Sequence, residues 1–222
     1  ARREGIKMER IICLAIGYLF GMFQTSYIIG KIHHMDIRQY GSGNAGTTNA
    51  LRTLGKKAGA MTLIGDMLKC VIAILIVDAV FKNRYQEILP LLGMYTAAGC
   101  VLGHNFPFYL GFRGGKGIAA SAGMLLAMDW RVFLICAVIF IGLVAITRYV
   151  SLGSMAAYVG ALTCFIWFGA AGSYGMDFPH TFEMDVIMGL MTALAIYRHR
   201  ANIYRLLNGT ENKLGAAKTA AK

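Results

Sequence analysis

The chain has 222 residues, 57% of them hydrophobic and 15% charged, with a mean hydropathy of +0.55. A soluble domain is nearer one-quarter charged, so the composition excludes an ordinary soluble fold and points to an integral membrane protein built as one bundle. The formal charge of +11 and the pI of about 9.6 set a basic excess beside anionic lipid or an anionic substrate; nucleic acid is disfavoured because no basic stretch is interleaved with stacking aromatics.

In chain order, residues 1–8, which carry ARREGIK, are set apart as an N-terminal extension of native or added origin. The body runs over residues 9–211, and residues 212–222, ending in GAAKTAAK, are set apart as a tail. A spanning helix needs about 20 mostly apolar residues. Seven segments qualify or come close: 9–32, 59–81, 87–108, 117–128, 130–147, 154–172 and 182–197. The expectation is an all-α polytopic membrane protein with seven transmembrane helices, one of them short. Glycines in the first and third spans predict close helix packing. The fourth, about a dozen residues, predicts a half-buried or tilted helix at a funnel. Asp66 and Lys69 stand at i and i+3 inside the second span, where charge is costly unless paired, so they predict a buried pair. Cys13, Cys70, Cys100, Cys136 and Cys164 lie in apolar runs without a CxxC pair. They read as small buried hydrophobes and give no zinc or redox site.

Four stretches rich in glycine and small polar residues separate the spans: GSGNAGTTNALR (41–52), GHNFPFYLGFRGGKG (103–117), RYVSLGS (148–154) and YRHRANIYRLLNGTE (197–211). With alternating spans, all four fall on one face. Of the 22 Lys and Arg residues, fourteen lie on that face and seven on the other, with Lys69 inside a span. The positive-inside rule then puts the C-terminus in the cytoplasm and the N-terminus outside, although the basic N-terminal residues run against it.

In GSGNAGTTN, glycines alternate with Ser42, Asn44, Thr47, Thr48 and Asn49. Successive backbone N–H groups in such turns form concave anion sites. Thr48 or Asn49 is expected to cap a short helix carrying Arg52 on the same face as Thr48. In FRGGKGIAASAG, Gly114, Gly115, Lys116 and Gly117 open a helix. The Walker spacing is absent, but a helix N-terminus and an ammonium both favour phosphate. A lysine at a span end also snorkels to the interface, but snorkelling needs no flanking glycines. His199 and Asn202, at i and i+3, are expected to turn into a pocket from an amphipathic interfacial helix. Its Arg198, Arg200 and Arg205 are expected on lipid phosphates, with Arg205 on the lipid-facing side. HTFEMD (180–185) matches the HxxxxD pattern of coenzyme-A-dependent glycerolipid acyltransferases, but it falls on the opposite face with no phosphate-binding stretch beside it. No GxSxG elbow, DxD pair or HExxH occurs.

DIRQYGSGNAGTTNALRTLGKKAG, GHNFPFYLGFRGGKGIA, YVSLGS and YRHRANIYRLLNGTE, in this order between Tyr18 and Glu211, resemble the bacterial acyl-phosphate:glycerol-3-phosphate acyltransferase family. The resemblance implies a monomeric seven-helix enzyme of the bacterial inner membrane with its active site at the cytoplasmic face. Its reaction moves a fatty acyl group from acyl phosphate to the 1-hydroxyl of glycerol-3-phosphate, giving lysophosphatidate, the first acylated intermediate of phospholipid synthesis. It uses neither acyl-CoA nor acyl carrier protein directly, and no cofactor or metal. By the same resemblance Ser42, Arg52, Lys116 and the Ser151 stretch hold glycerol-3-phosphate with His199 and Asn202. Gly43, Asn44, Gly46 and Thr48 form the hole for the acyl-phosphate phosphate, and Asn49, Gly114 and Gly115 join the substrate-binding set. Two departures stand out: GMFQTSY in the first span where the family has a Gly-Ser-Ile-Pro-like opening, and GTTN in place of GATN.

Acyl phosphate is a mixed anhydride with a good leaving group, so positioning carries much of the rate. Two anionic substrates must meet, and Arg52, Lys116 and backbone donors are placed to cancel their repulsion. For the proton of the attacking hydroxyl, the departing phosphate is favoured as acceptor, with His199 positioning. The alternative is an organic-phosphate membrane transporter, which places its site near the midplane, commonly in repeated halves; here the polar stretches share one face and no internal repeat is visible. A lipid phosphatase or phosphotransferase needs a nucleophile or metal-binding acids, and the acidic residues are too few and scattered.

Overall fold

A computed structural model describes residues 8–215. Of the segments set apart as extensions, only Met8, which opens the first helix, and residues 212–215 fall within that range. Leu214 of the tail pairs with Arg148, its N–H on the Arg148 carbonyl at 2.8 Å and its carbonyl under the guanidinium at 2.7 and 3.0 Å.

The described residues form ten α-helices, three 3-10 turns and no strand: α1 (Met8–Gly21), α2 (Thr25–Ile32), α3 (Thr47–Leu54), α4 (Lys56–Tyr85), α5 (Leu89–Asn105), α6 (Ile118–Met128), α7 (Trp130–Thr147), α8 (Val150–Ala170), α9 (Phe178–Arg198) and α10 (Arg200–Leu207). By length and composition Met8–Ile32, Lys56–Leu110, Trp130–Thr147 and Val150–Ala170 are apolar enough to cross a membrane, the second of these holding both α4 and α5. Large apolar side chains such as Leu75, Val138 and Ile146 point outward, as they do where lipid is the solvent.

α1 packs on α5 through glycine. A Cβ on Gly17 would fall on the Thr96 carbonyl, and one on Gly99 on the Leu14 carbonyl, so the backbones touch directly. This is the close packing expected of the first and third spans. The short fourth span is α6, drawn against α4 because Gly123 lies on the Met67 carbonyl.

The first span departs from the expectation of one continuous helix. It breaks between Gly21 and Thr25. No proline causes this; the carbonyls freed at the break are taken by other side chains. Lys69 Nζ donates to the carbonyls of Gly21 (3.2 Å) and Phe23 (2.6 Å), and the Tyr109 hydroxyl to that of Met22 (2.7 Å). Lys69 also pairs with Asp66 at 2.9 Å, so the predicted buried pair exists and serves the break. The stretch 148–154, expected to join two spans, is mostly the first turn of α8. The cap of α3 is Gly46, in place of the expected Thr48 or Asn49.

Candidate active site

The four polar stretches meet in one cavity of about 1530 Å³. That exceeds the roughly 300–1,000 Å³ of a single small-molecule pocket. Its mouth is polar, with Ser42, Arg52, Lys116, Ser151, His199 and Asn202 in the wall. An apolar arm runs inward between α4, α6, α7 and α8, past Leu63, Met67, Phe133, Phe140 and Ala161.

The loop before α3 is shaped by Asn49. Its side-chain amide is buried and donates to the carbonyls of Ile37 and Tyr40, both at 3.0 Å, while Oδ1 accepts the Ser42 N–H at 2.8 Å. Gly41 and Gly43 take left-handed φ of +61° and +69°, which glycine adopts without strain. Thr47 Oγ1 is buried in the cavity wall without a protein partner. Arg52, on α3, has among the described residues a single weak hydrogen bond, Nη2 to the Asn212 carbonyl at 3.5 Å. Burial pulls its pKa below the ordinary value, with Glu211 opposing and Arg205 adding to the shift.

The glycine-rich loop before α6 is folded back onto the end of α5. The N–H groups of Gly114 and Gly115 donate to the carbonyls of Asn105 (3.1 Å) and His104 (3.0 Å). Their own carbonyls accept from Arg198 Nη2 at 3.2 and 2.7 Å, and that guanidinium also covers the Phe106 ring. A side chain at Gly114 would meet the His104 carbonyl, and one at Gly115 the His104 imidazole. Glycine is therefore required for close approach. Among the described residues the N–H groups of Lys116 and Gly117 have no protein acceptor and stand at the positive end of α6.

Glu211 ties the C-terminal stretch together. Its Oε1 accepts from Asn202 Nδ2 (2.7 Å) and Ser151 Oγ (3.0 Å), and its Oε2 from Arg205 Nε (2.7 Å). Burial works to raise its pKa, but these three hydrogen bonds outweigh it and hold the carboxyl below the usual range. Asn202 Oδ1 accepts from Lys116 Nζ. Burial pulls the Lys116 ammonium down to about 8; Glu211 opposes this, while Arg205, Arg198 and Arg52 add to it. His199 is buried, and its Nδ1–H donates to the Ala195 carbonyl at 2.7 Å, which leaves Nε2 as the acceptor nitrogen. Burial and then Lys116 lower its pKa to about 4, so the ring is neutral at physiological pH.

The model of the family described as glycerol-3-phosphate acyltransferase matches residues 11–209. The chain belongs to this family. It is 49% identical to the glycerol-3-phosphate acyltransferase of Clostridioides difficile (strain 630) over 210 residues, 94% of this chain and 97% of that one. It is 42% identical to that of Halalkalibacterium halodurans, with 95% and 98% covered. Its fold matches the crystal structure of PlsY (YgiH), an integral membrane glycerol 3-phosphate acyltransferase, in the glycerol 3-phosphate form. The TM-score is 0.79 at 34% identity, over 93% of this chain and 96% of that one. The lysophosphatidic acid form matches with a TM-score of 0.76. Like that structure, the chain is an all-helical integral membrane protein.

Within this family fold, Ser42, Gly43, Asn44, Gly46, Thr48, Asn49, Arg52, Gly114, Lys116, Ser151, His199 and Asn202 all reach the one cavity, while Gly115 lies behind its wall. Six of the predicted substrate-binding residues have polar groups engaged by the protein: the Asn49 amide, the Ser151 hydroxyl on Glu211, the N–H groups of Gly43 and Gly46 on the carbonyls of Tyr40 and Asn44, and the backbones of Gly114 and Gly115. They shape the site. Arg205, expected on the lipid side, lines the cavity and pairs with Glu211. Arg198, expected on lipid phosphate, staples the glycine-rich loop before α6. Glu211 was given no role by the sequence, and Thr47 only a place among the small polar residues of the glycine-rich loop. One signal was available for Glu211: it is the only acidic residue after Asp185, in a stretch crowded with arginine. His180 of the HTFEMD run pairs with Asp177 at 2.5 Å near the other end of α9, about 30 Å along the helix from His199.

Proposed function

We propose that the chain transfers a fatty acyl group from acyl phosphate to the 1-hydroxyl of sn-glycerol-3-phosphate, giving lysophosphatidate and inorganic phosphate. The observation that carries the reading is the single cavity in which a cationic mouth, rich in N–H donors, opens into an apolar arm. Lys116, Arg52, Ser42 and Ser151 hold glycerol-3-phosphate with His199 and Asn202. The loop of Gly43, Asn44, Gly46 and Thr48 receives the phosphate of the donor, and the arm beside α6 takes its acyl chain. Asn49, Gly114 and Gly115 keep these two surfaces in place.

The glycerol oxygen attacks the acyl carbon, the bond from that carbon to the phosphate oxygen breaks, and the hydroxyl proton leaves with the phosphate. The departing phosphate, with a second pKa near neutrality, is a better-matched acceptor at neutral pH than His199, whose pKa burial and Lys116 lower to about 4. His199 is left to position the glycerol, its Nε2 accepting from the 2-hydroxyl so that the 1-hydroxyl keeps its hydrogen for the phosphate. Cations and N–H groups fixed by Glu211, Asn49 and Arg198 meet the two anions without rearranging.

The same reading places seven spans, α1 with α2, then α4, α5, α6, α7, α8 and α9, in the bacterial inner membrane. The N-terminus is outside, and the C-terminus and active site are on the cytoplasmic side. Residues 9–211 form a single catalytic domain that works as a monomer among membrane lipids without metal, cofactor or nucleic acid. The deciding experiment offers the purified protein acyl phosphate, acyl-CoA and acyl carrier protein donors separately, with glycerol-3-phosphate. Lysophosphatidate is expected from acyl phosphate alone; robust turnover of acyl-CoA, in a preparation free of other acyltransferases, overturns the donor assignment.

A further inference from the structure

A buried polar cluster sits beneath the glycine-rich loop before α6 and plays no part in the reaction as described above. Lys69 Nζ lies 2.9 Å from Asp66 Oδ1 and 2.8 Å from His104 Nδ1, besides the two carbonyls at the helix break. Thr25 Oγ1 donates to the same Asp66 oxygen at 3.0 Å. An ammonium has hydrogens to give and no lone pair. It therefore donates to His104 Nδ1, which must be unprotonated, and the ring hydrogen belongs on Nε2.

That Nε2–H has no hydrogen-bond partner among the described residues. It rests against Gly115, where a Cβ would land on it, and the Ala45 carbonyl adjoins the same spot. The imidazole is almost fully buried, yet His104 and Asp66 both line the cavity. The donor thus lies between the two glycine-rich segments, the loop before α3 and the loop before α6. A buried Asp–Lys pair adds little stability over apolar residues of equal volume. Fixing a histidine tautomer is something apolar residues cannot do.

We infer that His104 Nε2–H donates to a phosphate oxygen of a substrate bound in this cavity, with Lys69 and Asp66 as positioning residues that set its tautomer. The inference rests on the phosphate-binding reading of the glycine-rich loop. A neutral imidazole adds a directed hydrogen bond without adding charge to a mouth already crowded with cations.

The test compares His104→Asn with His104→Gln. Asn sets its amide near the Nδ1 position, where it still accepts from Lys69; Gln reaches toward the Nε2 position and restores a donor. His104→Asn is expected to raise KM for acyl phosphate or for glycerol-3-phosphate by about 10- to 100-fold, with kcat changed by less than about threefold. Which KM moves identifies the phosphate, and His104→Gln recovers a good part of the loss. Equal losses in both variants, or a fall confined to kcat, or two unchanged KM values, overturn the inference and leave His104 a structural residue. Two arms need no turnover. Equilibrium dialysis of labelled inorganic phosphate should show weaker binding to His104→Asn than to wild type; equal binding counts against the donor. NMR of the ring nitrogens in wild-type protein should show an Nε2–H histidine whose signal shifts when phosphate is added; an Nδ1–H tautomer or an unmoved signal rejects it even where the variants fail to fold. If the wild type does not use acyl phosphate, the donor reading above falls while these two arms still decide the role of His104.

Discussion

Consider Glu211 replaced by glutamine. The side chain keeps its size and an oxygen that still accepts from Asn202 and Ser151, which lie 2.7 and 3.0 Å from Oε1 in the native protein. An amide NH₂ now meets Arg205 Nε, so a charge-assisted bond of 2.7 Å becomes donor against donor. Arg205 is 33% exposed, and with solvent screening the stability lost is about 1 kcal/mol. The larger effect is electrostatic. With Glu211 present, Lys116 titrates at about 8, below its ordinary 10.5. Lysine holds phosphate only while protonated, so its contribution is full below that pH and is lost as pH rises through it. Without the carboxylate the same loss comes earlier, by about one pH unit, the lower end of what one opposite charge contributes. At pH 8 this makes the charged fraction about fivefold smaller. The acid limb belongs to the substrate, whose phosphate becomes dianionic near pH 6, and the substitution does not touch it. The profile of kcat/KM for glycerol-3-phosphate in detergent, from about pH 5 to 9, is thus expected to be bell-shaped. In Glu211→Gln only the alkaline limb moves, and it moves toward acid. An alkaline limb that stays in place or shifts to higher pH refutes Lys116 as the titrating phosphate ligand.

Arg52→Lys keeps the charge but loses the planar fork that makes two parallel bonds to phosphate, so kcat/KM is expected to fall about 10- to 100-fold. Arg84→Ala, exposed at the far end of α4, stays within about twofold; near-full activity of Arg52→Lys means that the basic residues act as a diffuse field. Thr210, exposed just after α10, reports sidedness. In a background with the native cysteines replaced, Thr210→Cys should react with an impermeant thiol reagent only after the membrane is opened, and labelling of intact cells inverts the proposed topology.

The long apolar helices were legible because each is a local pattern: the span read at 130–147 coincides with α7. The break in the first span was not. The family's opening carries a proline there, whereas this chain has Gln24, and the lysine that takes the freed carbonyls is 48 and 46 residues away. Nothing within a window around Gly21 announces it. The site shows the same division. Glycines and small polar residues in apolar surroundings marked Ser42 to Arg52 and Gly114 to Lys116 from the sequence alone. What each residue does inside the site depends on distant partners. Asn49 turned out to hold the loop, and Gly114 and Gly115 give up their N–H groups to the end of α5. Arg205 was misplaced because α10 is only two turns long and sets Arg200 and Arg205 about 140° apart around it, so its pattern does not say which face is wet.

The two ends of the bundle bear on the transporter alternative. A carrier that alternates access must open toward each side in turn around a site near the midplane. Here the cations and N–H donors of the cavity mouth come from loops and helix ends on one side, and only the apolar arm and the Asp66–His104 floor reach inward. At the other end Arg10, Tyr95 and Glu183 bind α1, α5 and α9 together, with Arg10 to Glu183 at 2.7 and 2.9 Å and the Tyr95 hydroxyl to Glu183 at 2.6 Å. The first of these helices is also in direct backbone contact with the second at Gly17 and Gly99. Opening that end would expose a buried arginine and pull apart a pair of backbones that have no side chains between them to slide. Among the described residues the arm is walled mainly by apolar side chains such as Leu63, Met67, Phe133 and Phe140, which suit a lipid chain and not a soluble phosphate. The asymmetry suits a reaction that brings a soluble anion and a lipid anion to one surface and releases its acylated product back into the bilayer.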